Sequence, residues 1–123
     1  MKLVKPDTTS TEIFKSKSFD FKAEFRNNLT LRELSDVMSM TDEPVFEQNR
    51  FIVSMLLVKI VTELTDENDK IIKGVPRSDE EQNGVQLLDG DFLEMLPPQL
   101  FMEMADHCMT KALSKLSGDD RKN

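Results

Sequence analysis

Apolar and polar residues alternate in one short stretch near the N-terminus. In the segment 18–25 the apolar positions fall on every second residue: Phe19, Phe21, Ala23 and Phe25. This period of two is typical of a strand with one buried face. Phe14 stands upstream and could belong to a partner strand. Because two strands alone are marginally stable in water, this possible β segment should lean on helices or on another molecule.

Helical spacing begins after Asn27 and Asn28. Thr30 and Glu33 have the Thr-x-x-Glu form of a capping box, in which two side chains satisfy backbone donors at a helix start. The pattern predicts a short helix over about 31–40. Its apolar face consists of Leu31, Leu34, Val37 and Met38.

The longest apolar pattern follows Pro44, a residue suited to the first turn of a helix. Apolar residues then keep helical spacing: Phe46, Val53, Leu56, Leu57, Ile60 and Leu64. Ile52, Met55 and Val58 widen the apolar band beyond one stripe. A helix that is apolar on most of its circumference lies in the centre of a fold. We therefore predict a central core helix over about 44–65.

Residues 66–90 read as a long acidic connection. Loops of this length are uncommon in compact domains, and they are usually functional or disordered. Within it, residues 71–75 and 85–88 are apolar enough to pair briefly. Whether the connection is ordered stays open at this point.

Two further helices follow the connection. Asp91 and Glu94 suggest a second capping box for a short turn over 92–96. Pro97 and Pro98 then introduce a last helix over about 98–117, and Gly118 supplies a stop. Its apolar face consists of Phe101, Met104, Ala105, Cys108, Ala112, Leu113 and Leu116.

These elements predict a mainly α fold. Apart from one possible β segment, the fold is expected to be all-helical. We expect a small helical domain with two long amphipathic helices, short capping helices and a possible short β segment near the N-terminus. Residues 1–12 are expected to be a mobile arm, 13–117 a single domain that includes the connection 66–90, and 118–123 a free tail.

Composition narrows the function. The chain has 123 residues and a net charge of −7, so a phosphate backbone would repel it and nucleic-acid binding is not expected. The most hydrophobic segment, residues 51–58, is much shorter than the roughly 20 residues of a membrane helix. We also expect no signal peptide, because no apolar run follows Met1 and Lys2. With the single Cys108, this predicts a cytoplasmic protein in a reducing compartment.

The charge is unevenly distributed. Residues 1–28 contain six basic and four acidic side chains, whereas the rest of the chain contains ten basic and nineteen acidic ones. A basic arm and an acidic body could pair head-to-tail between copies, which predicts self-association. The alternative is that both regions only confer solubility.

Catalytic and metal-binding signatures are missing from the sequence. It has no glycine-rich phosphate loop, and its only histidine, His107, adjoins Cys108 on a helix, where neighbouring side chains diverge. Glu103 and His107 would make half a zinc site at most. The acidic clusters fail the spacing of a calcium loop. We therefore expect no enzyme activity, no metal and no cofactor.

A protein-binding module remains. The segment 18–25 could add to a neighbour's sheet, or its phenylalanines could close the protein's own core. Excess methionine suits a surface that repacks around partners, although methionine also fills cores.

The order of segments resembles the tail assembly chaperones of long-tailed bacteriophages. The resemblance rests on the arm Thr-Glu-Ile-Phe-Lys-Ser-Lys-Ser-Phe-Asp-Phe at 11–21, on Leu-Thr-Leu-Arg-Glu-Leu at 29–34, and on the long apolar helix. An acidic connection and a C-terminal amphipathic helix complete it.

This resemblance implies a cytoplasmic protein of the infected host that binds the tape-measure protein, helps tail-tube protein polymerise around it and self-associates. The partner-binding candidates are apolar: Phe14, Phe19, Phe21, Met95, Leu96, Phe101 and Met102. The alternatives are a small acidic secretion-type chaperone and a transcription adaptor or regulator.

Overall fold

The computed structural model describes the backbone of residues 1–117 and the side chains of residues 1–114. The helices are α1 (Leu31–Met38), α2 (Val45–Leu56), α3 (Gly90–Met95) and α4 (Pro98–Ser117). The strands are β1 (Thr11–Lys15), β2 (Lys22–Arg26), β3 (Leu57–Ile60), β4 (Leu64–Thr65), β5 (Ile71–Ile72), β6 (Arg77–Gln82) and β7 (Val85–Leu88).

The prediction of a mainly α, all-helical fold is wrong. The described part of the chain combines these helices with three antiparallel sheets, and is therefore a mixed α and β fold. Most of the extra strand content comes from residues that were assigned to the central helix or to the acidic connection. The free tail predicted at 118–123 lies outside the described residues.

The N-terminal sheet has the strand order β1-β2-β3. Its central strand buries Ala23 and Phe25 on one face, which is the alternation expected from the sequence. The predicted segment 18–25 begins too early, because Ser16 Oγ accepts the backbone N–H groups of Ser18 and Phe19 and turns the chain there. β1 takes Thr11 and Glu12 from the predicted arm 1–12, so the part of the arm without helix or strand is 1–10.

The central helix is shorter than predicted. Residues Asn49–Leu56 of α2 are all buried, as expected for a helix in the centre of the fold. However, Leu57 adopts an extended conformation, and the chain passes directly into β3, where Leu57 is opposite Phe25 of β2. The apolar run continues across this change, since a buried helix and a buried strand look alike over so few residues.

The acidic connection 66–90 is largely structured. β4 pairs with β5, and β6 pairs with β7, each as an antiparallel hairpin. The pairing suggested between 71–75 and 85–88 does not occur. Asn83 and Gly84 form the β6–β7 turn with φ of 52° and 80°. Asn-Gly is the preferred pair for such a two-residue hairpin, so the sequence carries a local signal for this turn.

The core lies between α2 and the elements packed around it, chiefly β7 and α4. Its fully buried side chains include Phe25, Phe51, Ile52, Leu56, Leu88, Met104 and Cys108. α2 thus links the N-terminal sheet to the β6–β7 hairpin and to α4.

The remaining helix limits agree well with the sequence. The Thr30–Glu33 capping box is present in full, and α4 covers the predicted range. The short helix α3 is capped by Asp89 instead of Asp91: its Oδ2 accepts from the Phe92 N–H at 3.1 Å. Pro44 lies just before α2, and its carbonyl accepts from Gln48 N at 3.0 Å.

Candidate protein-binding surfaces

An apolar groove of about 340 Å³ opens between the start of α2 and the region where α3 meets α4. We call it the α2–α4 groove. Both long helices contribute their first turns, because each begins next to a proline that sets the chain direction. Its apolar lining consists of Val45, Phe46, Leu93, Leu96, Phe101 and Met102.

The floor of the α2–α4 groove is buried and its rim is exposed. Leu93, Leu96 and Phe101 belong to the core, whereas Val45 is 65% exposed and Met102 is 44% exposed. Phe46 stands over the floor, with its ring centroid 5.8 Å from that of Phe101. The exposed rim leaves apolar area in water that a partner could cover.

One polar side chain, that of Asn49, contacts Met102 at the rim of the groove. Asn49 is buried, and its Nδ2 donates to Met102 Sδ at 3.8 Å. This contact holds the flexible methionine across the opening between α2 and α4. Glu94 lines the same groove and is exposed, so the charge that the described lining residues carry is negative.

The structure divides the sequence-predicted site residues between two regions. Leu96, Phe101 and Met102 meet in the α2–α4 groove, and Met95 is exposed on the adjoining helix α3. Phe14 and Phe21 lie in the core of the N-terminal sheet instead. Phe19 is 36% exposed in the turn between β1 and β2.

Val45, Phe46 and Asn49 also line the groove, and sequence reasoning did not single them out. Phe46 was assigned to the buried stripe of the central helix. Helical spacing alone does not separate Phe46 from the residues that follow it, because α2 is buried on every side from Asn49 to Leu56.

A second, more polar groove of about 620 Å³ follows the outer edge of β1, between this strand and α4. We call it the β1–α4 groove. The strand and the helix run antiparallel, since Glu12 lies next to Lys111, Phe14 next to His107, and Lys17 next to Glu103. Ser16 Oγ and Lys17 N both donate to Glu103 Oε1 at 2.8 Å, which fixes the strand against the helix.

These contacts shift two pKa values. Hydrogen bonds from Ser16 and Lys17 lower the pKa of Glu103. Partial burial lowers the pKa of His107, against the opposing effect of Glu12, whose Oε1 is 3.3 Å from His107 Nε2. The imidazole packs on Phe14 and Phe25, with ring centroids 5.3 Å away in each case.

The adjacent Cys108 is buried and forms no disulfide, and burial raises the pKa of its thiol. Among residues 1–117, no group of three or more His, Cys, Asp or Glu side chains is arranged to hold a metal ion. Over that same range, no helix is both long enough and apolar enough to span a membrane.

Comparison of the chain with protein-family models, with curated proteins and with solved structures gave no match.

Proposed function

We propose that this chain is a non-catalytic tail assembly chaperone. In this role it binds the tape-measure protein of a long-tailed phage in the host cytoplasm and assists polymerisation of tail-tube protein around it. The proposal takes the client from the resemblance, which spans most of the chain. The observation that supports a binding function is the exposed apolar rim of the α2–α4 groove.

The groove suits an amphipathic helix. Helices that dock into grooves insert apolar side chains at i, i+3, i+4 and i+7, and they need an apolar floor with an accessible rim. Leu96 and Phe101 supply the floor, while Phe46 and Met102 supply a rim that is exposed in the unbound protein. Methionine at the rim allows the groove to repack around different turns of a long client.

Charge favours a helix with a basic flank. Glu94 lines the groove, and the α2 turn that carries Phe46 also carries Glu47, with the exposed Glu43 just before it. Opposite charges steer association and fix the orientation of the partner. We therefore expect the client helix to place lysine or arginine beside its apolar stripe.

The transcription-regulator alternative is less well supported. It would require a basic recognition helix, and on α4 the amine of Lys111 is engaged by Glu12 at 2.8 Å. Among the described side chains of α4, Asp106 and Glu103 offset the lysine charge.

Co-purification from an infected or lysogenic host tests the client. The tagged chain should recover a very long helical tape-measure protein, identified by mass spectrometry. Recovery of a secreted effector would support the secretion-chaperone alternative, and recovery of RNA polymerase or DNA would support a regulator. Either result would overturn the proposal.

Two matched methionine variants test the groove. Met102→Glu places a charge on the rim, whereas Met38→Glu places one at a similarly exposed position, 41%, on α1. We expect Met102→Glu to weaken binding of a tape-measure helix by about tenfold or more, which corresponds to roughly 1.4 kcal/mol. Met38→Glu should bind like the unmodified chain. Equal losses in both would show that the groove is not the binding site.

A further inference from the structure

We propose that β1 is the interface between two copies of this chain, paired antiparallel about a two-fold axis at Ile13. The pairing would join the two N-terminal sheets into one continuous sheet. It rests on the β1 edge and the β1–α4 groove. It is therefore independent of the α2–α4 groove and of the client bound there.

The hydrogen bonds at both ends of β1 show which backbone groups face outward. Ser10 O accepts from Asn27 N at 3.1 Å, and Ser16 N donates to Phe21 O at 3.0 Å. Antiparallel strands alternate, so the even-numbered residues of β1 bond to β2, and Thr11, Ile13 and Lys15 point their N–H and C=O groups away from it. Within residues 1–114, these outward groups have no hydrogen-bond partner.

The other edge of the same sheet is capped at its first residue. β3 is its outer strand, and the Leu57 carbonyl already accepts from Arg77 Nη2 at 2.9 Å. Proteins usually blunt exposed edges with bulges, charges or covering loops. β1 has an open edge with the apolar Ile13 at its centre, 51% exposed, and such an edge is a template for another strand.

The register favours a second copy. Outward-facing residues must pair with outward-facing residues, and a two-fold axis at Ile13 meets this condition. Ile13 then lies opposite Ile13 of the other copy, and Thr11 lies opposite Lys15. Each pair exchanges both backbone hydrogen bonds, the two isoleucines cover each other, and no like charges are opposed.

Charges on α4 fit the same axis. Along the β1–α4 groove, the helix presents Glu103 and Asp106 first and Lys111 later. Glu12 lies next to Lys111, and Phe14 lies next to His107. A two-fold axis at Ile13 therefore passes α4 between His107 and Lys111. The rotation brings Asp106 of one copy towards Lys111 of the other.

This symmetry determines the size of the assembly. The head-to-tail pairing suggested by the basic arm and acidic body is heterologous, and such contacts grow into rings or filaments. A two-fold contact uses the same surface on both copies and closes at a dimer.

Charge variants at Ile13 test the interface. We expect the unmodified chain to approach dimer mass with rising concentration in sedimentation velocity, and to grow no further. Ile13→Lys and Ile13→Glu should each be monomeric, because like charges would face each other across the axis. An equimolar mixture of the two should recover the dimer as a heterodimer.

Val58→Lys is the matched control, since Val58 is half-exposed on β3 at the opposite edge. It should dimerise like the unmodified chain. Circular dichroism would confirm that each variant is folded. In the unmodified protein, the amides of Ile13 and Lys15 should exchange more slowly as concentration rises. A strict monomer, open-ended growth, or a dimer that survives Ile13→Lys but is lost in Val58→Lys would overturn the proposal.

Discussion

Arg77 Nη2 donates to the carbonyl of Leu57 at 2.9 Å, at the residue where α2 becomes β3. Its Nη1 donates to the carbonyls of Ser54 and Gln86, each at 2.8 Å. One guanidinium therefore joins the end of α2 and the start of β3 to the β6–β7 hairpin, to which Arg77 itself belongs. Partial burial lowers the pKa of Arg77, although not enough to remove its charge at neutral pH.

We expect Arg77→Ala to lower the free energy of unfolding by about 2–3 kcal/mol, because charged hydrogen bonds to partly buried carbonyls are lost. Arg77→Lys should recover only part of this loss, since an ammonium lacks the planar fork that reaches several carbonyls. Urea denaturation measures both effects. Arg32→Ala, at an exposed arginine on α1, is the control and should change stability little.

Two glycines provide a second comparison. Gly84 has φ of +80°, and Gly90 has an ordinary φ, while an added Cβ would meet no atom within 4 Å at either position. Gly84→Ala should therefore destabilise the protein by about 1–2 kcal/mol through backbone strain alone. Gly90→Ala should be neutral or stabilising by up to about 1 kcal/mol. Thermal unfolding of the two variants measures the difference, and equal midpoints would contradict the strained turn.

His107 should make stability depend on pH. Its pKa in the folded protein is below the ordinary value of 6.5, so the unfolded chain binds more protons as the pH falls past that value. The stability that depends on a neutral imidazole is fully present above pH 6.5. It is lost progressively as the pH falls through the pKa of His107 in the folded protein. Glu12 and Lys111 face the ring: the carboxylate of Glu12 opposes the lowering of the His107 pKa, and the charge of Lys111 adds to it.

His107→Gln should flatten the fall in stability between about pH 7 and pH 5, which is the range where histidine titrates. Urea denaturation at several pH values measures the slope. An unchanged slope in this variant would show that other groups cause the pH dependence.

Cys108 should be unreactive in the folded protein, because its thiol is buried and burial raises its pKa. Iodoacetamide should modify it only after unfolding in urea. Leu113→Cys, at an exposed position on the same helix, should add a thiol that reacts at once. Fast modification of Cys108 without denaturant would indicate that α4 opens locally.

Local signals predicted several elements correctly. The Thr30–Glu33 box marks the start of α1, and Pro97-Pro98 marks the start of the last helix, whose first residue is Pro98. The end of α2 was not predictable in the same way, because the residues from Phe51 to Val58 are all apolar except Ser54 and carry no stop signal. Pairing of Leu57 with Phe25 is a tertiary effect that no local pattern contains.

The candidate site was predicted only in part. Met102 and Phe101 were recognised as apolar residues near a helix start, but their partner Phe46 is distant in the sequence. Phe14 is a predicted binding residue because it stands apart from the alternating segment, and the sequence does not show what covers an isolated apolar residue of a possible partner strand. In this fold α4 covers it.

The position of β1 against α4 has a consequence for folding during synthesis. β1 and β2 leave the ribosome early and can form a local hairpin, but their apolar face is covered only when α4 has emerged, since Ser16 and Lys17 dock on Glu103. Contacts between residues so far apart in sequence form late. Translation speed through the intervening hairpins therefore sets how long Phe14 and Phe25 stay exposed in the nascent chain.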